Sequence, residues 1–119
     1  MPDLRALADE DFCYLTTTGR VSGRPHEIEM WFSLVPETQT LYMLSGGRDR
    51  SDWVRNLRRD PEVTVRIVGE EFGGHARRAR NAEEDELARR LLVEKYESRP
   101  GSLANWRQTA LPLVVDLST

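Results

Sequence analysis

Apolar residues recur at every second position in short runs, each stopped by turn residues, and this period of two commits most of the chain to antiparallel strands. Phe12 to Thr18 is β-branched and aromatic and stops at Gly19-Arg20-Val21-Ser22-Gly23-Arg24-Pro25, which is turn chemistry throughout. From His26 to Leu34 the alternation is regular: Ile28, Met30, Phe32 and Leu34 share one face, and Glu27, Glu29, Trp31 and Ser33 the other. That pattern predicts a half-buried antiparallel strand. Pro36 to Gln39 turns the chain into a third strand at Leu41 to Leu44. Glu62 to Val68 reads as a fourth, Glu71 to Arg80 as a fifth loosened by Gly73-Gly74, and Leu111 to Leu117 as the last, with Pro112 marking an edge or a strand start.

Two stretches change period. Ser51 is a suitable N-cap for a short helix with Val54 and Leu57 on its apolar side, ending at Asp60 because Pro61 disfavours helical geometry before it. Asn81 with Glu84 approaches a capping box, and Leu87, Leu91 and Tyr96, with Ala88 and Leu92, form the buried stripe of a helix ending near Ser98. Arg99-Pro100-Gly101 breaks it, and a short helical segment follows over Leu103 to Gln108. Six strands in mostly hairpin order with two inserted helices predict a closed or nearly closed antiparallel barrel, an α+β sandwich being the alternative that spacing leaves open. A chain of 119 residues with 39% hydrophobic content packs one core, so residues 1–119 are expected to form a single domain.

Composition removes several functions. No apolar run approaches the roughly 20 residues that span a bilayer, and the N-terminus lacks the pattern of a signal peptide, so no integral membrane association and a cytoplasmic location are expected. Cys13 is the only cysteine, and His26 and His75, the only histidines, lie far apart. No metal site is expected from such a set. A net charge of −3 provides no long-range field for nucleic acid. Of the 17 basic residues only Lys95 is lysine, and arginine is the side chain that grips phosphate or carboxylate bidentately.

Two loops could use that chemistry. Gly19 to Arg24 and Ser45-Gly46-Gly47-Arg48-Asp49-Arg50-Ser51 each combine glycines, which let a ligand approach the backbone, with arginines and a serine hydroxyl. The second precedes a helix N-terminus, where Arg50 and free N–H groups can converge on an anion. Arg20 reaches the same anion if the first and third strands are neighbours. Composition alone leaves an ordinary solvated turn open for both.

The segments Leu15 to Pro25 (LTTTGRVSGRP), Ser45 to Gly47 (SGG), Trp53 to Val65 (WVRNLRRDPEVTV) and Leu111 to Leu117 (LPLVVDL) resemble the deazaflavin (coenzyme F-420)-dependent nitroreductase and quinone reductase family over nearly the whole chain. NLRRDPEVTV is also similar to the FMN-binding, pyridoxamine-phosphate-oxidase-like group, which shares the split β-barrel fold. The resemblance implies a mainly β fold, a six-stranded antiparallel split β-barrel with flanking helices. It implies a homodimer with F-420, or alternatively FMN, in a groove between subunits, and hydride transfer from reduced cofactor to a small-molecule quinone, nitro or activated-alkene acceptor. Carried onto this chain, the cofactor-binding residues are Thr18, Arg20, Ser22, Arg24, His26, Ser45, Gly46, Gly47, Arg48, Arg50, Ser51 and Trp53. Where the family commonly has Lys after TTTG-x and Arg after the proline, this chain has Val21 and His26.

A reduced deazaflavin donates hydride, so the protein's task is to hold the ring against the acceptor and exclude water, and no catalytic triad is needed. A polar group can still protonate or polarise the acceptor. Tyr96 is the candidate, with His26 and Thr16 to Thr18 behind it, and a core-packed ring is the competing reading of Tyr96. Trp31, among polar positions of its strand, faces either the groove, the dimer interface or solvent. Beside the F-420 reductase stand two other readings: an FMN oxidoreductase of the same fold and a non-catalytic cofactor carrier.

Overall fold

A computed structural model describes residues 4–96 and 107–118. Helix α1 (Leu4–Leu7) leads into β1 (Cys13–Thr18), β2 (Pro25–Met30), β3 (Ser33–Val35) and β4 (Thr40–Ser45). A 3-10 turn at Arg48–Arg50 and helix α2 (Asp52–Arg59) follow, then β5 (Glu62–Ile67), β6 (Glu70–Arg78), helix α3 (Ala82–Tyr96) and β7 (Leu111–Ser118). The strands make one antiparallel sheet in the order β2-β1-β5-β6-β7-β4-β3. The expected short helix at Leu103 to Gln108 lies outside the described residues up to Trp106, and 107–109 are helical.

Seven strands are present where six were expected, because the run from His26 to Leu34 is two strands on opposite edges of the sheet. Only Trp31 and Phe32 separate them. Three Cα steps span at most about 11 Å, so the two edges must nearly meet and the sheet must curl into a split β-barrel. The alternation conceals this break. Ile28, Met30, Phe32 and Leu34 all belong to or pack on one apolar cluster, so inward parity is kept while the partner strand changes from β1 to β4.

That cluster fills the barrel, with Cys13 and Leu15 of β1 facing Val65, Ile67, Leu41, Met43 and Val115 among its members. A second cluster lies outside it. Ala88, Leu92 and Tyr96 of α3 cover Tyr42, Leu44 and Val114, which is why every residue of β4 is buried. Leu87 and Leu91, also expected in the buried stripe, are only half-buried at its margin.

Helix α3 also fastens the barrel seam. Phe32 donates its N–H to the Tyr96 hydroxyl at 3.1 Å. That hydroxyl donates to the Asp11 carbonyl at 2.7 Å, with the Phe32 carbonyl at 3.1 Å as second acceptor. Lys95 donates to the same Phe32 carbonyl at 2.9 Å, and its ammonium lies 3.7 Å from the Phe32 ring centroid. Burial pushes the Lys95 ammonium down to about 8, against the pull of nearby Asp11. Trp31 stacks on Tyr96 with centroids 4.2 Å apart. Trp31 is therefore part of the α3 layer.

The start of α3 is held by its cap and by an ion cluster. The Asn81 side chain accepts the Glu84 N–H at 2.9 Å, as the sequence suggests, but the Glu84 carboxylate accepts the Arg80 N–H at 2.7 Å. Arg77 of β6 joins Glu84 at 2.6 Å and Asp116 of β7 at 2.7 Å. Those bonds hold the Glu84 carboxyl at about 2, well below its ordinary value of 4.5. A depressed carboxylate contributes stability that is complete above the unfolded-state value and is lost as pH falls through the folded one. Unfolding free energy is therefore expected to decline between pH 4.5 and 2 through this group. Glu84→Gln is expected to cost about 2 kcal/mol at neutral pH and to flatten that acid limb in chemical denaturation. An unchanged acid limb would contradict the assignment.

The β5–β6 hairpin has a two-residue loop, Val68-Gly69, with φ of +50° and +81°. Positive φ at both central positions is the signature of a type I′ turn, which suits Asn-Gly and strains a β-branched residue. Val68 is exposed and makes no compensating core contact. Val68→Asn is expected to stabilise the protein by about 0.5–1 kcal/mol in thermal unfolding.

Candidate functional site

The turn from Gly19 to Arg24 folds back against α2 and borders an open cavity of about 490 Å³. The turn closes on itself first: Gly19 N–H donates to the Arg24 carbonyl at 2.8 Å and Gly23 N–H to the Gly19 carbonyl at 2.9 Å. Gly23 has a φ of +73°, which glycine adopts without strain. Ser22 Oγ accepts the Arg24 N–H at 3.1 Å.

Asn56 then fixes the turn to α2. Its Oδ1 accepts from the Arg20 N–H at 3.2 Å and from Arg20 Nη1 at 3.0 Å, and its Nδ2 donates to Thr17 Oγ1 at 3.1 Å. Arg20 Nη2 meets Asp52 Oδ1 at 3.2 Å. Asp52 and Asn56 stand four apart on α2, and Trp53 is three before Asn56, so one face of the helix presents all three. Asn56 is 4% exposed, so its polar atoms must be satisfied from within.

The cavity has two characters. Thr17, Ser22 and His26 bring hydroxyl and imidazole groups to it beside Arg20, while Ile28, Trp53 and Val21 supply apolar wall. His26 lies opposite Thr17 across the β1–β2 ladder, on the inward parity of Leu15 and Ile28, and so reaches the barrel mouth. Val21 is 92% exposed at the rim. A Cβ at Gly19 would come within 2.6 Å of His26 Nε2 and 2.9 Å of Ser22 Oγ. Those two groups would have to move, and because both are ends of exposed side chains they can. Gly19→Ala is expected to leave thermal stability within about 0.5 kcal/mol while displacing two rim donors.

Of the expected cofactor-binding residues, Arg20, Ser22, His26 and Trp53 meet in this cavity, and Thr18 lines a neighbouring depression on the other side of the turn. The Ser45 to Ser51 segment is organised differently. Ser45 Oγ and Ser51 Oγ are 2.9 Å apart, and Ser45 also donates to the Arg48 carbonyl at 2.9 Å. Ser51 occupies the N-cap position of α2 without a side-chain capping bond. Gly47 is required by close approach, since a Cβ there would stand 2.5 Å from Ser51 Oγ. Arg48, at φ +54°, donates to the Thr109 carbonyl, so its guanidinium ties the loop to the chain before β7. Gly46 and Arg50 are exposed and line neither cavity at the turn, and Arg24 is exposed outside them.

One expectation is corrected here. The first and third expected strands, β1 and β4, are not neighbours, because β5, β6 and β7 stand between them; Arg20 reaches α2 through Asn56 instead. Tyr96, the candidate proton donor, is 0% exposed, and its hydroxyl accepts the Phe32 N–H and donates to the Asp11 carbonyl at the seam. Asn56 and Asp52 line the cavity and were missed by the sequence reading, whereas Thr17 was among its candidate hydroxyls. Helical spacing was the available signal: Asn56 lies one turn after Asp52 and Trp53, on the side of α2 away from Val54. Among the described residues no group of His, Cys, Asp and Glu is arranged to hold a metal ion, and no helix is long and apolar enough to cross a membrane.

Comparison with known proteins agrees with this architecture. Solved structures similar to the chain include an F420 reductase, at a TM-score of 0.72 and 17% identity over 100% of this chain and 97% of that one. An F420-H2-dependent reductase matches at 0.68 and 23% identity over 92% and 95%. A pyridoxamine 5′-phosphate oxidase-type protein of Listeria innocua matches at 0.71 and 20% identity over 98% and 90%. At these identities the likeness establishes the fold. No curated protein matches the chain. The model of the family described as F420H(2)-dependent quinone reductase matches residues 4–118, and the chain therefore belongs to that family of oxidoreductases, whose cofactor is coenzyme F420.

Proposed function

We propose that the chain is a homodimeric reductase that passes a hydride from reduced F420 to a quinone, nitro compound or activated alkene. The observation that carries this reading is the cavity under the Gly19–Arg24 turn, lined both by the polar groups of Arg20, Ser22 and His26 and by the apolar Trp53 and Ile28. A planar ring bearing an anionic tail needs that combination. The glycine at position 19 also fits the group, because it leaves the space in which His26 and Ser22 stand.

Bound reduced F420 supplies the hydride. Arg20, held by Asn56 and Asp52, keeps the turn in one geometry and orients the tail by charge. Ser22 and His26 donate to its oxygens, with Arg24 and Arg50 as exposed charges that attract an anion toward the rim. Trp53 and Ile28 keep water from one face of the ring. The cavity is open to solvent, and a second copy of the chain closes it.

Titration of the ligand-free protein with F420 and FMN side by side, followed by acceptor-dependent oxidation of the reduced cofactor, tests this reading. Tighter binding of F420 with turnover on menadione is expected. Preference for FMN would move the chain to the flavin branch of the fold, and stoichiometric F420 binding without turnover would make it a carrier. Light scattering tests assembly: a monomer that binds F420 as tightly as the assembled protein would remove the shared groove.

A further inference from the structure

We infer that the cavity between α2 and the adjoining ends of β6 and β7 is a second binding site, for a small organic anion with an apolar body, of the size of benzoate. This cavity has a volume of about 240 Å³, the space of roughly eight waters at about 30 Å³ each. It shares no lining residue with the cavity under the turn. Helix geometry explains the separation. At 100° per residue, Asp52, Trp53 and Asn56 point to one side of α2, and Val54, Leu57 and Arg58 to the other.

Its floor is the barrel core itself. Val54, Leu57, Ala76 and Leu113 are all buried. Its rim is cationic. Arg58 and Arg78 are exposed, and among the described residues neither guanidinium has a hydrogen-bond or ion-pair partner. Arg77, also at this cavity, is taken up by Glu84 and Asp116 and is unavailable. Asp49 is the one carboxylate on the rim. Two free guanidiniums and one carboxylate therefore stand at the mouth over an apolar floor, while both carboxylates of the Arg77 cluster are occupied by that arginine. A carboxylate attached to a ring satisfies both parts: the oxygens take fork geometry from arginine, and the ring covers Leu57 and Leu113.

A free phosphate would satisfy the rim and leave the floor wet, and a neutral aromatic would do the reverse. Benzoate, benzamide and inorganic phosphate are therefore the probes. In a two-dimensional amide NMR titration of the cofactor-free chain, benzoate is expected to give saturable shifts at Val54, Leu57, Ala76 and Leu113, with benzamide and phosphate each at least about tenfold weaker. Arg58→Ala combined with Arg78→Ala removes charge-assisted bonds to the carboxylate and is expected to weaken benzoate roughly ten- to hundredfold with the melting temperature retained, since both side chains are exposed and unpartnered. Benzoate and F420 are expected to bind together. No saturable shift at these residues, equal benzoate affinity in the double variant, or displacement of benzoate by F420 would each overturn the second site. The last outcome leaves the cofactor reading intact, and failure of F420 to bind leaves the benzoate result standing.

Discussion

Tyr96→Phe is expected to lower the melting temperature by about 10 °C while leaving turnover per folded molecule unchanged. The ring stays, so stacking on Trp31 survives and no cavity opens. What is lost is one hydroxyl that accepts the Phe32 N–H and donates to the Asp11 carbonyl, at the point where the chain crosses from one sheet edge to the other. The Phe32 N–H is then buried without a partner, since Phe32 is 0% exposed. An unsatisfied buried donor and two lost bonds come to about 3 kcal/mol. A proton donor to the acceptor would behave otherwise: kcat would fall by roughly two orders of magnitude or more at unchanged stability. Thermal unfolding and steady-state rates on the same preparation separate the two roles. An unchanged melting temperature would show that the seam does not depend on this hydroxyl.

The seam also marks the limit of what the sequence discloses. Strand existence was legible because turn residues stop each run, and the core side was legible where apolar and polar residues alternate, as in β5, but not in β4, which is buried on both faces. The division of His26 to Leu34 was not, since Phe32 and Leu34 continue the parity of Ile28 and Met30 on the same cluster. A curled sheet needs the chain to change partners there without changing face, and alternation records only the face. Topology was hidden for a related reason. β1 pairs with β5, 44 residues after the end of β1, and no local pattern encodes that choice.

The candidate site was legible where its backbone is special. Gly19 and Gly23 announce a turn that a ligand can approach, and Arg20, Ser22 and His26 follow from it. The Ser45 to Ser51 loop carries the same composition, yet its hydroxyls bond one another and Arg48 reaches Thr109. Composition cannot distinguish a loop that satisfies itself from one that offers its donors outward. Nor could it find Asn56, whose importance lies in contacts made 36 and 39 residues away.

Asn56→Ala is expected to produce the largest loss of cofactor binding of any single change outside the ligand's own contacts. Truncation removes the acceptor of two part-buried Arg20 bonds and the buried donor to Thr17. Thr17 is 2% exposed, so its hydroxyl loses its partner outright. The stability cost is about 3 kcal/mol. Arg20 keeps only its contacts with exposed Asp52, an ion pair that contributes little on its own. The turn then samples orientations in which Ser22 and His26 no longer converge, and F420 affinity is expected to fall roughly ten- to hundredfold. Asn56→Asp retains the one acceptor oxygen that takes both Arg20 bonds and lets the Thr17 hydroxyl donate to the other, so it is expected to restore most of the binding, with stability within about 1 kcal/mol of the parent. Fluorescence titration of the three proteins, each first checked by thermal unfolding, decides the matter. Equal F420 affinities for the parent and Asn56→Ala would show that the turn is positioned without Asn56, and would place the cofactor away from the Gly19–Arg24 cavity.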